Sequence, residues 1–423
     1  MIMFDEIVRL VKYLNESDEG RTKRKKIIFT LAGIVSLLII NRFLLIFKAN
    51  LDYFYHHTAL SRLLFISNIS PYDLNIQSIL DNFFSSRSIE VSLENFQYND
   101  PLFQLFFFLP FTLITDHAWA AAIFLTVNQA CIFLIVEQVY QLLKWRPAWK
   151  TRLLHLGLAF FSVFSLSFFS SPDLSIIQVL LFLLGLNLSL KNKFIAGGVV
   201  LSFTLFDFPM MNLPMLLLLM FLFILKKSDV IVWFFISLGL LSLAGLIFDN
   251  NWPLKMIRNI FLEPIYYPFI PYSQAVGIDH AGAFISSIIN LFPIVLFILL
   301  IMEWIRIPKE NPYQLFWMLS LIFTLNPFLV NTKKFQLSFI AIFVYLYIFY
   351  LWDCRSSGSV KKAVYGFFSV FIVLLPCLGY AFPSRMGFLY NTRGYNLIAI
   401  LLTLLMLYWV RWWILQMPSE DEA

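Results

Sequence analysis

Charge is scarce in this chain. Asp, Glu, Lys and Arg make up 13% of its 423 residues, hydrophobic residues make up 60%, and the mean hydropathy is +0.78. A soluble domain cannot bury that much apolar surface, so the composition predicts an all-α polytopic membrane protein. Cysteine is nearly missing. Cys131 and Cys377 lie in apolar runs and Cys354 in a basic loop, which predicts neither a disulfide framework nor a Cys-based metal site. The five histidines, His56, His57, His117, His155 and His280, follow no HExxH-like spacing, so no metal and no cofactor is expected. The net charge of +6 sits in short basic clusters between apolar runs. That pattern argues against nucleic acid as a partner and points to the lipid bilayer.

What is present is apolar sequence in span-length pieces. A membrane helix needs about 20 such residues. Runs near 27–47, 118–143, 153–171, 173–190, 195–212, 214–225, 230–248, 281–304, 314–331, 335–352, 363–381 and 395–414 predict about 12 spans. Ahead of them, "MIMFDEIVRLVKYL" places Phe4, Ile7, Val8, Val11 and Leu14 on one helix face, and "RTKRKK" follows. Residues 1–26 therefore read as a surface helix with a basic patch rather than a cleaved signal. The run 101–115, "PLFQLFFFLPFTLIT", is too short to span and carries Pro110, so it reads as re-entrant or interfacial.

Orientation follows from the basic residues. With the N-terminus inside, 21 of the 31 Lys and Arg fall on the inner side and 10 on the outer. Positive charge favours the cytoplasmic side, which predicts cytoplasmic N- and C-termini in the inner (plasma) membrane. The membrane domain is then 27–415 and the tail 416–423. Residues 48–117 form a long first external loop with amphipathic pieces at 59–66 and 72–84, and 249–280 form a second external segment. Polar residues concentrate on that outer side.

"LDYFYHHTALSRLLFISNISPYD" from Leu51 resembles the opening D-F-x-x-Y-x-x-A…G-x-x-P-Y-D of the GT-C membrane glycosyltransferases, specifically glycosyltransferase family 87, with Asp52, Pro71, Tyr72 and Asp73 in place and Tyr55 one position ahead of the family tyrosine. "YNDPLFQLFFFLPFTLI" resembles the family's aromatic-x-P-P-L segment, with Asp100-Pro101 where the family has Pro-Pro. "LSIIQVLLFLLGLNLSLKNKFIAGGVVLSF" resembles its span pair joined by a short polar turn, and "LNPFLVNTKKFQLSFIAIFVYLYIF" and "LMLYWVRWW" resemble its tail. The matches keep their order over most of the chain. A family Lys-Pro is Asp207-Phe-Pro209 here, and a family Gly-Gln is replaced by "SPDLS".

The resemblance implies a GT-C-like bundle whose first external loop holds juxtamembrane helices. It also implies transfer of a sugar, hexose or pentose and possibly mannose, from a polyprenyl phosphate donor to an extracytoplasmic glycolipid or polysaccharide acceptor, with inversion. Asp52, just past the first span, would be the base, the alternative being a solvated loop acid. A donor phosphate needs cations. Lys333 and Lys334, Arg258 with Lys255, and also Arg62, Arg385 and Arg393 are the outer candidates. Asp100, Tyr55, His56 and Asp207 are supporting or acceptor-side candidates, Asp207 because an acid inside an apolar run is costly. Asp73 and Asp100 also fit helix-capping positions, Glu137 fits a structural pairing with Lys144, and Arg42 fits a snorkelling residue. Two other classes remain open: a relative that has lost catalysis and serves as an assembly partner, and a transporter or lipid flippase.

Overall fold

The computed structural model describes residues 18–44, 51–73, 75–87, 89, 91, 98–161, 165, 172–206, 208–262, 283–306, 312–329, 338–355, 358–369 and 402–411. Among them there is no strand. The N-terminal surface helix predicted for residues 1–14 lies outside the described residues. The chain divides into two compact units, residues 1–49 with 114–130, and residues 50–113 with 131–423.

Helix α1 (Asp18–Leu44) belongs to the first unit and runs unbroken through the basic patch. It meets the beginning of α5 (His117–Leu142) through amides: Asn41 donates to Thr126 Oγ1 at 2.9 Å and to Gln129 Oε1 at 2.7 Å, and Gln129 donates back at 3.1 Å. Buried amides in an apolar setting hold two helices in one register because slipping would leave them unpaired. Arg42 lies over the Trp119 ring and 4.0 Å from Asp116.

The second unit begins with α2 (Asp52–Ser67), α3 (Ile76–Ser85) and α4 (Gln104–Thr112). α2 starts with Asp52 in its first turn, where the helix dipole favours a carboxylate. It stops at Asn68, whose left-handed φ of 52° lets the Ile69 N–H return to the Leu63 carbonyl at 3.1 Å. Nine-residue α4 is far too short to span, as the sequence predicts. It lies along α2 through edge-on and tilted aromatic pairs: Phe54 with Phe111, Phe65 with Phe106, and Tyr53 with Phe108.

The rest of the unit is the end of α5, then α6 (Trp149–Phe161), α7 (Ser175–Leu190), α8 (Phe194–Ser202), a 3₁₀ turn (Phe203–Phe206), α9 (Phe208–Ile224), α10 (Ser228–Phe248) and α11 (Trp252–Leu262). They are followed by α12 (Ala283–Arg306), α13 (Pro312–Leu329), α14 (Ser338–Arg355), α15 (Gly358–Ser369) and α16 (Leu402–Arg411). α8 packs against α10 so closely that a Cβ on Gly198 would lie 2.6 Å from the Val230 carbonyl. Glycine there is a packing requirement. Arg411 grips Glu303 with Nε at 3.0 Å and Nη2 at 2.7 Å, and Trp317 donates to the Leu407 carbonyl at 2.8 Å, fixing α16 on α12 and α13.

α5 and α10 are long and apolar enough to cross a membrane. Only 17% of the apolar window of α10 is buried inside the protein, and Phe235, Leu240, Leu243 and Ile247 point outward. Exposed apolar faces on this scale are consistent with a helical membrane protein. The expected span 195–212 is not one helix: it breaks at the 3₁₀ turn, and α9 begins at Phe208.

Candidate functional site

The end of the second unit built by α2, α4, the end of α10 and the start of α11 gathers acids and aromatic hydroxyls. α10 reverses into α11 tightly enough that a Cβ on Gly245 would strike the Trp252 indole, which donates to the Ser242 carbonyl at 3.3 Å. That turn brings Asp249 and Lys255 to the loop after α2. Lys255 Nζ lies 2.8 Å from Asp249 Oδ2, 3.4 Å from Ser70 Oγ and 3.8 Å from Asp73 Oδ1, and Ser70 donates to Asp249 at 2.5 Å. Burial pushes the Asp249 carboxyl up, but hydrogen bonds from Lys255, Ser70 and the Asn251 N–H, with the Lys255 charge, outweigh it and hold the group below its ordinary value.

A second knot surrounds the segment 98–101. Tyr72 donates to the Asp100 carbonyl at 2.6 Å, and Asn259 donates to the Tyr98 carbonyl at 3.3 Å. The Tyr98 hydroxyl lies 3.0 Å from both the Pro101 carbonyl and Gln104 Oε1, and Gln104 donates to the Tyr53 hydroxyl at 3.1 Å. Three separate elements therefore clamp one short turn. Burial pushes the Tyr72 phenol well above its ordinary value, and the Asp100 and Asp249 charges add to the effect, so it stays a donor at physiological pH.

Within this knot His57 faces Asp100. Its Nδ1 lies 2.7 Å from the Tyr53 carbonyl, one helical turn back, and its Nε2 lies 3.6 Å from Asp100 Oδ2. The ring is flanked by Tyr53 at 4.0 Å, Phe108 at 5.1 Å and Tyr98 at 5.8 Å.

Asp52 opens α2 half-buried, with Tyr55 and His56 one turn on along the same face. Tyr55 lies against Phe54, and His56 is buried against Phe84. Arg258 is exposed on α11, one turn beyond Lys255. Asp207, Lys333 and Lys334 lie outside the described residues. Asp100 is not a helix cap: α4 is capped at Phe103 and α3 at Asn75, so Asp73 is no cap either and lies near Lys255 instead. Sequence reasoning passed over Asp249, Ser70, Gln104 and Asn259. An acid directly after the apolar run 230–248, six positions before a lysine, was the available signal for Asp249. No group of three His, Cys, Asp or Glu placed to hold a metal occurs among the described residues. No family model, curated protein or solved structure matches the chain.

Proposed function

We propose that the chain is a GT-C-like membrane glycosyltransferase of about 12 spans. It moves a hexose or pentose, mannose being the first to test, from a polyprenyl phosphate carrier to an extracytoplasmic glycolipid or polysaccharide acceptor. The acceptor hydroxyl attacks the anomeric carbon with inversion. The bond from that carbon to the phosphate oxygen breaks, the hydroxyl proton passes to the Asp52 carboxylate, and polyprenyl phosphate leaves. Arg258, with Lys333 and Lys334, would hold the leaving phosphate. Asp100, Tyr55, His56 and Asp207 would serve the acceptor.

The observation that carries this reading is a cluster of acids, with Lys255 and Arg258 of α11 at the same end, at one end of the second unit and a row of lysine-bearing turns at the other. The α2–α4 end holds Asp52, Asp73, Asp100 and Asp249 around aromatic hydroxyls. The turns at the other ends of α5, α7 and α9 hold Lys144, Lys191, Lys193, Lys226 and Lys227. Under the charge rule this turns the acids outward, the side where polyprenyl-linked sugars are consumed in the resembled family. One observation favours the non-catalytic alternative: Lys255 is already engaged by Asp249 and Asp73, which withdraws one cation from phosphate binding. The experiment is transfer of labelled sugar from polyprenyl phosphate by the purified protein in lipid nanodiscs. Transfer abolished by Asp52→Asn supports the enzyme, and no transfer by wild type from mannosyl or arabinosyl donors favours the assembly partner.

A further inference from the structure

Buried His57 commits one ring nitrogen to the backbone and turns the other toward a carboxylate. Nδ1 is 2.7 Å from the Tyr53 carbonyl, an acceptor only, so Nδ1 carries a proton. Nε2 is buried, finds no hydrogen bond in the present geometry, and points at the Asp100 carboxylate. With only the Nδ1 proton, a lone pair would face a carboxylate in a site where the His57 side chain is 6% exposed and that of Asp100 17%. A low-dielectric site makes that opposition costly, and one more proton between the two groups removes it. Among the described residues the Tyr53, Tyr98 and Phe108 rings also flank the imidazole, and Asp100 is the charged group it faces.

We propose that His57 is a positioning residue: as an imidazolium it holds one oxygen of Asp100, so that the other oxygen is presented to a hydroxyl of the sugar acceptor. The inference rests on the glycosyltransferase reading and adds a division of labour to it. Asp52 takes the proton in the reaction. Asp100, already neutralised by His57, takes a hydrogen bond and orients the sugar. The clamps on segment 98–101 fit that role, because a hydroxyl acceptor must be held still while a solvated loop acid need not be. A sugar hydroxyl donating to a fixed, charged acceptor is the kind of hydrogen bond that discriminates strongly.

Two measurements test this on the full chain in nanodiscs at neutral pH. The first is the imidazole ¹⁵N spectrum, with His57 assigned by its loss in His57→Gln. Two protonated ring nitrogens are expected in wild type and one in Asp100→Asn; a neutral His57 in wild type overturns the ion pair. The second is calorimetric binding of methyl α-mannoside and methyl α-arabinofuranoside, with transfer to each followed in parallel. His57→Ala and Asp100→Ala are expected to weaken binding about 10–100-fold, the range for a hydrogen bond to a charged group. His57→Gln, whose amide N–H replaces Nε2–H, is expected to recover most of that loss. Unchanged binding in His57→Ala, equal loss in His57→Gln, or no binding of either glycoside to wild type overturns the proposal. Binding without transfer overturns the glycosyltransferase reading and leaves the sugar contact standing.

Discussion

The two ends of the second unit's helices handle polar groups in opposite ways. At one end, basic and amide side chains serve the helices themselves. Lys227 donates to the Ser189 and Leu190 carbonyls at 2.9 and 3.3 Å, capping α7, and Asn187 donates to Gln138 and Gln141 of α5. Lys144, Asn192 and Lys226 take left-handed turns with φ of 51°, 59° and 56°, so the reversals there need no glycine. Each polar group answers an orphan carbonyl or a neighbouring helix. Side-chain N-caps do not separate the two ends, since α2, α3 and α4 have none and neither do α8 and α10, which start at the basic end. Hydrogen bonds at the α2–α4 end converge on carboxylates and on one non-helical turn. The basic end spends its polar chemistry largely on helix ends and helix pairs, with Trp145 and Lys361 holding Asp353, whereas the α2–α4 end gathers Asp73, Asp100 and Asp249, as a binding surface requires.

The strongest way to break that contrast is to ask whether the ends face opposite sides of a membrane. Ser86, exposed just after α3, and Lys193, exposed between α7 and α8, represent them. In a cysteine-free background, Ser86→Cys is expected to react fully with an impermeant maleimide added to intact cells, and Lys193→Cys only after lysis. Labelling of both from outside ends the topological argument.

Next in size is Asp52→Asn. Removing a general base costs about 10²–10⁴-fold in rate. Sugar transfer is therefore expected to fall by that factor while donor binding persists, since cations hold the phosphate. Near-normal transfer makes Asp52 an interface acid and shifts attention to Asp100.

Where the sequence was legible, the reason was length and pattern. α5 follows from 26 residues of apolar sequence, and α4 from a run too short to span and carrying Pro110. Hydropathy failed where tertiary polar contacts decide. The run 195–212 passes on hydropathy although it holds Pro209, which suits the first turn of a helix and not its interior, and Gln178 of α7 donates to the Thr204 carbonyl at 3.1 Å beside the break. Asp73 and Asp100 have local capping signals, and long-range partners won both of them. Glu137 meets Arg152 at 3.3 Å rather than Lys144, because α6 folds back beside α5. The acidic character of the candidate site was visible from Asp52 and Asp100. The partners that fix it, Asp249, Gln104 and Asn259, come from places that no local motif connects.

Third is the Lys255 cluster, where the contrast becomes a stability difference. Asp249 is 7% exposed and Lys255 30%. Lys255→Met removes a charged hydrogen bond from a buried carboxylate and is expected to cost about 2 kcal/mol. Because the folded Asp249 pKa is held below its ordinary 3.8, its contribution is fully present above that value and is lost as pH falls through the lower folded value. Thermal unfolding in detergent between pH 5 and pH 3 checks the sign. Wild type should lose stability toward the acid end, and Asp249→Asn should lose less. A steeper acid loss in the mutant removes Asp249 as the linked group.

The smallest effect belongs to the opposite end and is the control that gives the others meaning. Arg152 and Glu137 pair at 3.3 Å, but their side chains are 46% and 49% exposed, and Arg152 also lies over the Tyr140 ring at 5.2 Å. Exposed ion pairs contribute about 0–1 kcal/mol, since water solvates both partners when the pair opens. Arg152→Gln keeps much of the stem that covers Tyr140 and removes only the charge. The unfolding midpoint is expected to move little beside the shift from Lys255→Met, and added salt should erase what difference there is. A loss as large as that of Lys255→Met would mean that even the exposed Arg152–Glu137 pair is fixed as firmly as the buried Asp249. The division between a helix-making end and an acid-fixing end would then fall, because both ends would be doing the same thing.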